Sequence, residues 1–298
     1  MPTDQQPDEI SAEYSLSGRV VLVTGAGRGI GRSVATAFGN AGAHVVCVSR
    51  TKSEVEAVAA TINALHAFRA LPLVCDLSVI SSIPALIQDI QAHLGKPVEI
   101  LINNAGITRI DSLECHLDME IWQRVLTTNL TSPVALICEI LPTMLVRGGG
   151  TIISIGSRSS AFDIPYSSAY SVSKTALLKF HQNIESEVGQ KGIRSYYLQP
   201  GNIRTSILDG LDTVDDKSYR RVEGVRQTVS QIMDSPKVGP ERVADACIAL
   251  ATAPESALLS GRYIDLDGDI GRLLDDLSRG SSSECVQRSL HKLKVDTL

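Results

Sequence analysis

Seven short runs rich in β-branched residues recur along this chain with longer segments of helical period between them, and no other feature narrows its fold as far. The runs are RVVLVT, HVVCVS, LPLVCD, VEILIN, TIISIG, IRSYYLQ and RYIDLD, and helices are predicted to begin near Gly29, Lys52, Val79, Asp118, Ser167 and Pro240. Repeated alternation of this kind builds βαβ units. The expected fold is therefore a Rossmann-type α/β architecture with a doubly wound, parallel, seven-stranded sheet. No break in composition divides residues 16–270, which read as a single domain. Around this core, residues 1–15 are polar and acidic and read as a flexible segment. Residues 203–238 form a long charged insertion read as a lid, and residues 271–298 form a tail expected to fray or dock.

Composition removes several classes of partner. A net charge of −5 leaves no basic excess to displace counterions from phosphate, which argues against nucleic acid and against an acidic membrane surface. No apolar run is expected to approach the roughly 20 residues of a membrane span, and the first residues lack the pattern of a signal or transit peptide. Six cysteines, Cys47, Cys75, Cys115, Cys138, Cys247 and Cys285, stand without CxxC pairs or histidine ligand spacing. They read as reduced thiols in a cytoplasmic compartment, with no metal site.

The stretch TGAGRGIG, Thr24 to Gly31, joins the first strand to the first helix and holds four glycines. Without Cβ atoms at Gly25, Gly29 and Gly31, the backbone can turn sharply and a pyrophosphate can approach the helix N-terminus. The second strand ends in CVSRT, with Ser49 and Arg50 where NAD-preferring Rossmann proteins commonly place a carboxylate for the ribose 2′-hydroxyl. An arginine there suits a 2′-phosphate and so predicts NADP(H) over NAD(H). Tyr170 and Lys174 stand at i and i+4, on one face of a predicted helix. A neighbouring ammonium, with the positive charge of an oxidised nicotinamide, can draw a tyrosine down from about 10 and make it a proton donor and acceptor.

These motifs, in the order TGAGRGIG, NNAG (Asn103 to Gly106), YSVSK (Tyr170 to Lys174) and PGNIRT (Pro200 to Thr205), resemble the short-chain dehydrogenase/reductase family over residues 15 to about 270. The resemblance implies that Ser157, thirteen residues before Tyr170, bonds the substrate oxygen; Ser154, Ser159 and Ser160 are nearby rivals. It implies that Asn129 supports a water-linked proton relay to Lys174; a helix irregularity near Pro133 would also explain that asparagine. For the cofactor it implies contacts from Gly25, Arg28, Gly29 and Ile30 in the turn, with Arg28 reaching the same phosphate as Arg50. Asp76 and Leu77 would meet the adenine, and Asn103, Ala105 and Gly106 would border its ribose, although Asn103 can equally tie strand ends. Pro200, Gly201, Ile203 and Thr205 would flank the nicotinamide.

The activity implied is reversible hydride transfer between NADPH and a small ketone or secondary alcohol by a homodimer or homotetramer. Such assemblies form through the long helices carrying Asn129 and Tyr170, and the apolar ALICEILPTMLV would serve that contact or pack on the sheet. Two other readings share the fold: a dehydration, isomerisation or cyclisation enzyme, and a dinucleotide-sensing module. The expected pocket walls are RSSAFDIPYSSA, with Asp163 and Tyr166 polar among Phe162 and Ile164, the stretch from Ile107, and the lid with Tyr219.

Overall fold

A computed structural model of the chain describes residues 16–65, 69–203, 213–235, 237–268, 270–279 and 290–291. Its strands are β1 (Val20–Thr24), β2 (His44–Ser49), β3 (Ala70–Val74), β4 (Ile100–Asn103), β5 (Gly150–Ile155), β6 (Ile193–Gln199), β7 (Tyr263–Asp265) and β8 (Leu290–His291). They form one sheet in the order β3-β2-β1-β4-β5-β6-β7-β8. The first seven are mutually parallel, as the alternation predicts. The two-residue β8, from the expected tail, adds an antiparallel edge to β7.

Strand periodicity sorts the core. In β1, Val21 and Val23 face one cluster with α1 (Gly29–Asn40) and α9 (Glu241–Thr252), while Val20 and Leu22 face the other. That second cluster includes residues of α3 (Ile83–Leu94), α5 (Ser132–Arg147) and α6 (Ser168–Val188). Burial on both faces is why β1 reads as an unbroken apolar run.

Helices α1, α2 (Lys52–Leu65), α6 and α9 start within one residue of the predicted positions. Near Val79 a 3-10 turn, Ile80–Ser82, precedes α3, whose first turn accommodates Pro84. Asp118 is the N-cap of α4 (Met119–Leu126), accepting bonds from the amides of Glu120 and Ile121. A π turn, Thr127–Thr131, links α4 to α5 and confirms the irregularity expected near Pro133. Together they make a 29-residue helical run, Met119–Arg147, long and apolar enough by length and composition to span a membrane, which corrects the expectation that no segment comes near. Its Leu136, Ile137, Ile140 and Met144 are buried against the sheet, which accounts for that character, whereas Val146 is 90% exposed.

Within the expected lid lie α7 (Asp216–Arg221) and α8 (Glu223–Asp234); in the tail, α10 (Ile270–Ser278) docks Leu273 and Leu274 into the first core cluster. No group of three or more metal-ligating side chains occurs among the described residues.

The tightest constraint lies where β1 meets α1. A Cβ on Gly31 would stand 2.1 Å from the Gly25 carbonyl oxygen, a backbone atom that cannot rotate away. Gly31→Ala is therefore expected to cost about 3 kcal/mol of stability, the upper range of overpacking penalties, measured as a lowered urea midpoint at unchanged m-value.

Candidate active site

The carboxyl ends of six parallel strands open on one cleft of about 780 Å³. It lies at the switch between β1 and β4, where the strand order reverses. The β1 and β4 exits interlock beneath it. Asn104 Nδ2 donates to the carbonyls of Thr24 (2.9 Å) and Gly25 (3.2 Å), and Thr24 Oγ1 accepts from the amides of Asn104 and Ala105, both at 3.0 Å. Gly25 and Gly29 adopt φ of 63° and 54°, where a side chain would be strained. Arg28 is the N-cap of α1 without a side-chain cap, so no side chain from that position satisfies the first-turn amides, which Gly29 and Ile30 bring to the cleft wall.

At this end the cleft is lined by Ser49 at the end of β2, Arg50 just after it, and Asp76 and Leu77 after β3. Against the opposing effect of burial, two bonds from Ser78 and the charges of Arg50 and Arg124 hold the Asp76 carboxyl below the usual range. Neither Arg28 nor Arg50 forms an ion pair with a described carboxylate. Glu54, unforeseen in the sequence, packs against Gly27, whose added Cβ would meet its Cβ and Oε2 at 2.6 Å.

At the other end, Ser157, Tyr170 and Lys174 converge. Lys174 is 5% exposed, its Nζ donates to the Ile155 carbonyl at 2.7 Å, and it lies 5.7 Å from the centre of the Tyr170 ring. Burial pushes this ammonium down to about 8. Tyr170 moves opposite to the sequence expectation: removal from solvent raises the phenol, outweighing a hydrogen bond from Ser157 that lowers it. The protonated phenol is thus the form held at neutral pH, poised as a donor.

The rival serines have other partners. Ser154 is fully buried and accepts from Asn103 at 3.4 Å, and Ser160 Oγ donates to the Ser157 carbonyl at 2.6 Å. Ser159 donates to Ser157 Oγ through its amide (3.2 Å) and its hydroxyl (3.0 Å).

Asn129 is fully buried in the π turn and does not line the cleft. Its amide closes a two-way pair with Ile107, accepting from the nitrogen at 2.9 Å and donating to the oxygen at 2.8 Å, and donates to Ser173 Oγ at 3.1 Å. It thereby fixes the loop after β4 beside Lys174, since a Cβ on Gly106 would meet Asn129 Oδ1 at 3.4 Å and Lys174 Nζ at 3.8 Å.

Ala105, Gly106, Pro200, Gly201 and Ile203 line the cleft as anticipated. Asn103 does not: it is buried between strands, bonded to Ser154, and its neighbour Asn104 takes the lining place because successive strand residues face opposite ways. Phe162 and Ile164 line the cleft, whereas Asp163, Tyr166 and Tyr219 do not. Thr205 lies outside the described residues. Thr228 and Ile232 of α8, within the expected lid, also line the cleft; polar helical periodicity alone did not single them out.

Tyr197 was also missed. Its ring is fully buried, it stacks on Tyr263 at 5.9 Å, and its hydroxyl accepts from the Ser157 amide at 3.1 Å. In sequence it reads only as one more strand residue. Its signal is Gly156, where a Cβ would meet the Tyr197 ring at 2.2 Å.

Across residues 19–215 the chain matches the family model for short chain dehydrogenases. A short chain dehydrogenase of Pseudocercospora fijiensis is 30% identical over 286 residues, covering 95% of this chain and 91% of that protein. The structure of a metagenomic short-chain oxidoreductase in complex with NADP is similar with a TM-score of 0.64 at 29% identity, covering 80% of this chain and 92% of the other. That of a 7α-hydroxysteroid dehydrogenase complexed with NADH and 7-oxo glycochenodeoxycholic acid gives 0.72 at 28% identity, with coverages of 85% and 94%.

The fit of Tyr197 under Gly156 yields a coupling measurement. Gly156→Ala alone should destabilise the protein by roughly 2 to 3 kcal/mol; in a Tyr197→Ala background the methyl meets open space, and its cost should fall below roughly 1 kcal/mol. A double-mutant cycle by urea unfolding reads the difference.

Proposed function

This chain belongs to the short-chain dehydrogenase family, an oxidoreductase family, and we propose that it is an NADP(H)-dependent carbonyl reductase or alcohol dehydrogenase acting on a small ketone or secondary alcohol. The observation that carries the reading is the convergence of Ser157, Tyr170 and Lys174 at the end of the cleft away from the Gly25 to Gly29 turn.

The residues of the turn fit a dinucleotide. The glycine cradle leaves no room for Cβ atoms at Gly25 and Gly31, and the uncapped N-terminus of α1 supplies amides for a pyrophosphate. Arg28 and Arg50 would hold a 2′-phosphate by charge-assisted bonds; Glu54 sets one negative charge nearby and leaves the two guanidinium groups in excess of it. Asp76 and Leu77 would meet the adenine. Ala105 and Gly106 would face its ribose, and Pro200, Gly201 and Ile203 the nicotinamide. When bound, the nicotinamide supplies or accepts a hydride.

The chain's own groups handle the oxygen. Ser157 donates a hydrogen bond to the substrate carbonyl, and Tyr170 gives up its proton as that oxygen becomes an alcohol. The raised phenol suits the reductive direction, because it keeps its proton until charge develops on the substrate. Lys174, its charge weakly held in a desolvated site, stabilises the phenolate left behind, and Asn129 keeps the loop after β4 in register with it. Thr228 and Ile232 of α8 line the cleft and would help to exclude water from a bound substrate. Assembly as a homodimer or homotetramer through α4, α5 and α6 is part of the proposal, supported by the exposure of Met119, Val146 and Val172 on those helices.

Two outcomes test the reading. Tyr170→Phe should lower NADPH-dependent ketone reduction about 10³-fold while the dissociation constant for NADPH, from fluorescence titration, stays within about threefold. Wild type that oxidises no NADPH across a broad ketone panel overturns the proposal. NADPH should bind at least tenfold more tightly than NADH, and Arg28→Ala with Arg50→Ala should remove that preference by weakening NADPH alone, about tenfold or more per lost charged contact. Equal wild-type affinities would reassign the cofactor.

A further inference from the structure

The two ends of the cleft differ in charge. Among the described lining residues the cations are Arg28, Arg50, Lys174 and Arg158, and the acids are Glu54 and Asp76. Both acids and two of the arginines sit at the dinucleotide end. Around Ser157 and Tyr170 the described lining is apolar or neutral, from Ile107, Ile110, Phe162, Ile164 and Ile232, apart from Lys174 and Arg158. Lys174 is buried and committed to the Ile155 carbonyl. The substrate end thus holds one accessible cation, Arg158, whose side chain is 60% exposed, and no described carboxylate lines it.

Arg158 is also held in place. It opens the turn Arg158–Ser160 directly after Ser157, its guanidinium lies 5.5 Å from the centre of the Phe162 ring, and Nη1 pairs with Asp267 Oδ2 at 3.4 Å. The ring contact orients the guanidinium at the cleft wall. The carboxylate contact is exposed on both sides and single-pronged, so an incoming anion can displace Asp267 readily. A planar guanidinium offers two parallel N–H groups, which matches a carboxylate; a phosphate dianion would call for a second cation, and none is free at this end among the described residues.

We propose that Arg158 binds a carboxylate carried by the substrate, so that the preferred substrates are oxo acids and the corresponding hydroxy acids rather than neutral ketones. The assignment rests on the dehydrogenase reading above and adds the substrate class to it. Arg158 acts in recognition only, and the carboxylate takes no part in the bond changes.

The test compares linear and aryl oxo acids of several chain lengths with their methyl esters, which differ in charge but keep the reacting carbonyl. Wild type should show kcat/KM at least tenfold higher for the best acid than for its ester, mostly through KM. Arg158→Gln should bring that ratio to about one, and Arg158→Lys should recover part of it; saturable NADPH binding verifies that each variant is folded. An equal preference in wild type, or an acid-to-ester ratio unchanged in Arg158→Gln, overturns the proposal. Calorimetric binding of the same acids and esters to the NADP⁺-treated protein separates the two readings. Acid-selective binding that depends on Arg158 without any NADPH oxidation sustains Arg158 and sinks the dehydrogenase reading. Turnover without acid preference does the reverse, and absence of both turnover and Arg158-dependent binding sinks both.

Discussion

Covering the sheet on both faces is the constraint from which the rest of this molecule follows. Val20 to Thr24 are buried along their whole length, and the same holds for the inner positions of β2, β4 and β5. An unpaired polar group among these strands would be costly, so reactive side chains are confined to strand ends. The carboxyl ends carry them because chain leaving β1 turns into α1 while chain leaving β4 departs the other way, and a crevice opens between. Thr24, Asn104 and the glycines seal the floor of that crevice with backbone-directed bonds, so its shape is set before any ligand enters.

Desolvation then sets the chemistry. The same burial that raises the Tyr170 phenol lowers the Lys174 ammonium to about 8, so the two groups, nearly matched in water, are driven apart and the phenol holds its proton more tightly than the lysine does. Their positions depend on groups that never reach a substrate. Tyr197 supports Ser157 from below, and Asn129 braces Ile107. Buried polar groups in this layer are paired in one arrangement, which restricts the rotamers open to the residues above them.

Much of this was legible beforehand because it depends on short-range rules. Strand alternation gave the sheet, Asp118 marked a helix start, and the i, i+4 spacing placed Tyr170 beside Lys174. What escaped were features set by tertiary packing. Asn103 and Asn104 are indistinguishable in composition, and only the pleat decides which one faces the cleft. The direction of the Tyr170 shift needs the burial of the ring, which spacing cannot report. Tyr197 lies on β6 and Gly156 just past the end of β5, so their fit exists only once β5 and β6 pair with Ser154 opposite Tyr197. The apolar length of Met119–Arg147 escaped too: Pro133 pointed to the irregularity that became the π turn, but not to the continuous run of 29 helical residues on either side of it.

The loop after β4 joins the end of the cleft that holds Tyr170 and Lys174 to α7 and α8. Its first part, at Gly106 and Ile107, lies against Lys174 and Asn129. Its next residues reach the segment before α7: Ile110 pairs with Val214, its amide donating to the Thr213 carbonyl at 2.7 Å and its carbonyl accepting from the Asp215 amide at 2.8 Å. Arg109 holds Asp215 at 2.8 Å, and Asp215 in turn accepts from the amide and hydroxyl of Ser218, whose oxygen accepts the Ser112 amide at 3.0 Å. These bonds fix α7, and α7 packs on α8, which carries Thr228 and Ile232 into the cleft. A displacement of α7 would therefore strain the same loop that Asn129 braces beside Lys174, so the two ends of this loop are mechanically linked through its hydrogen bonds.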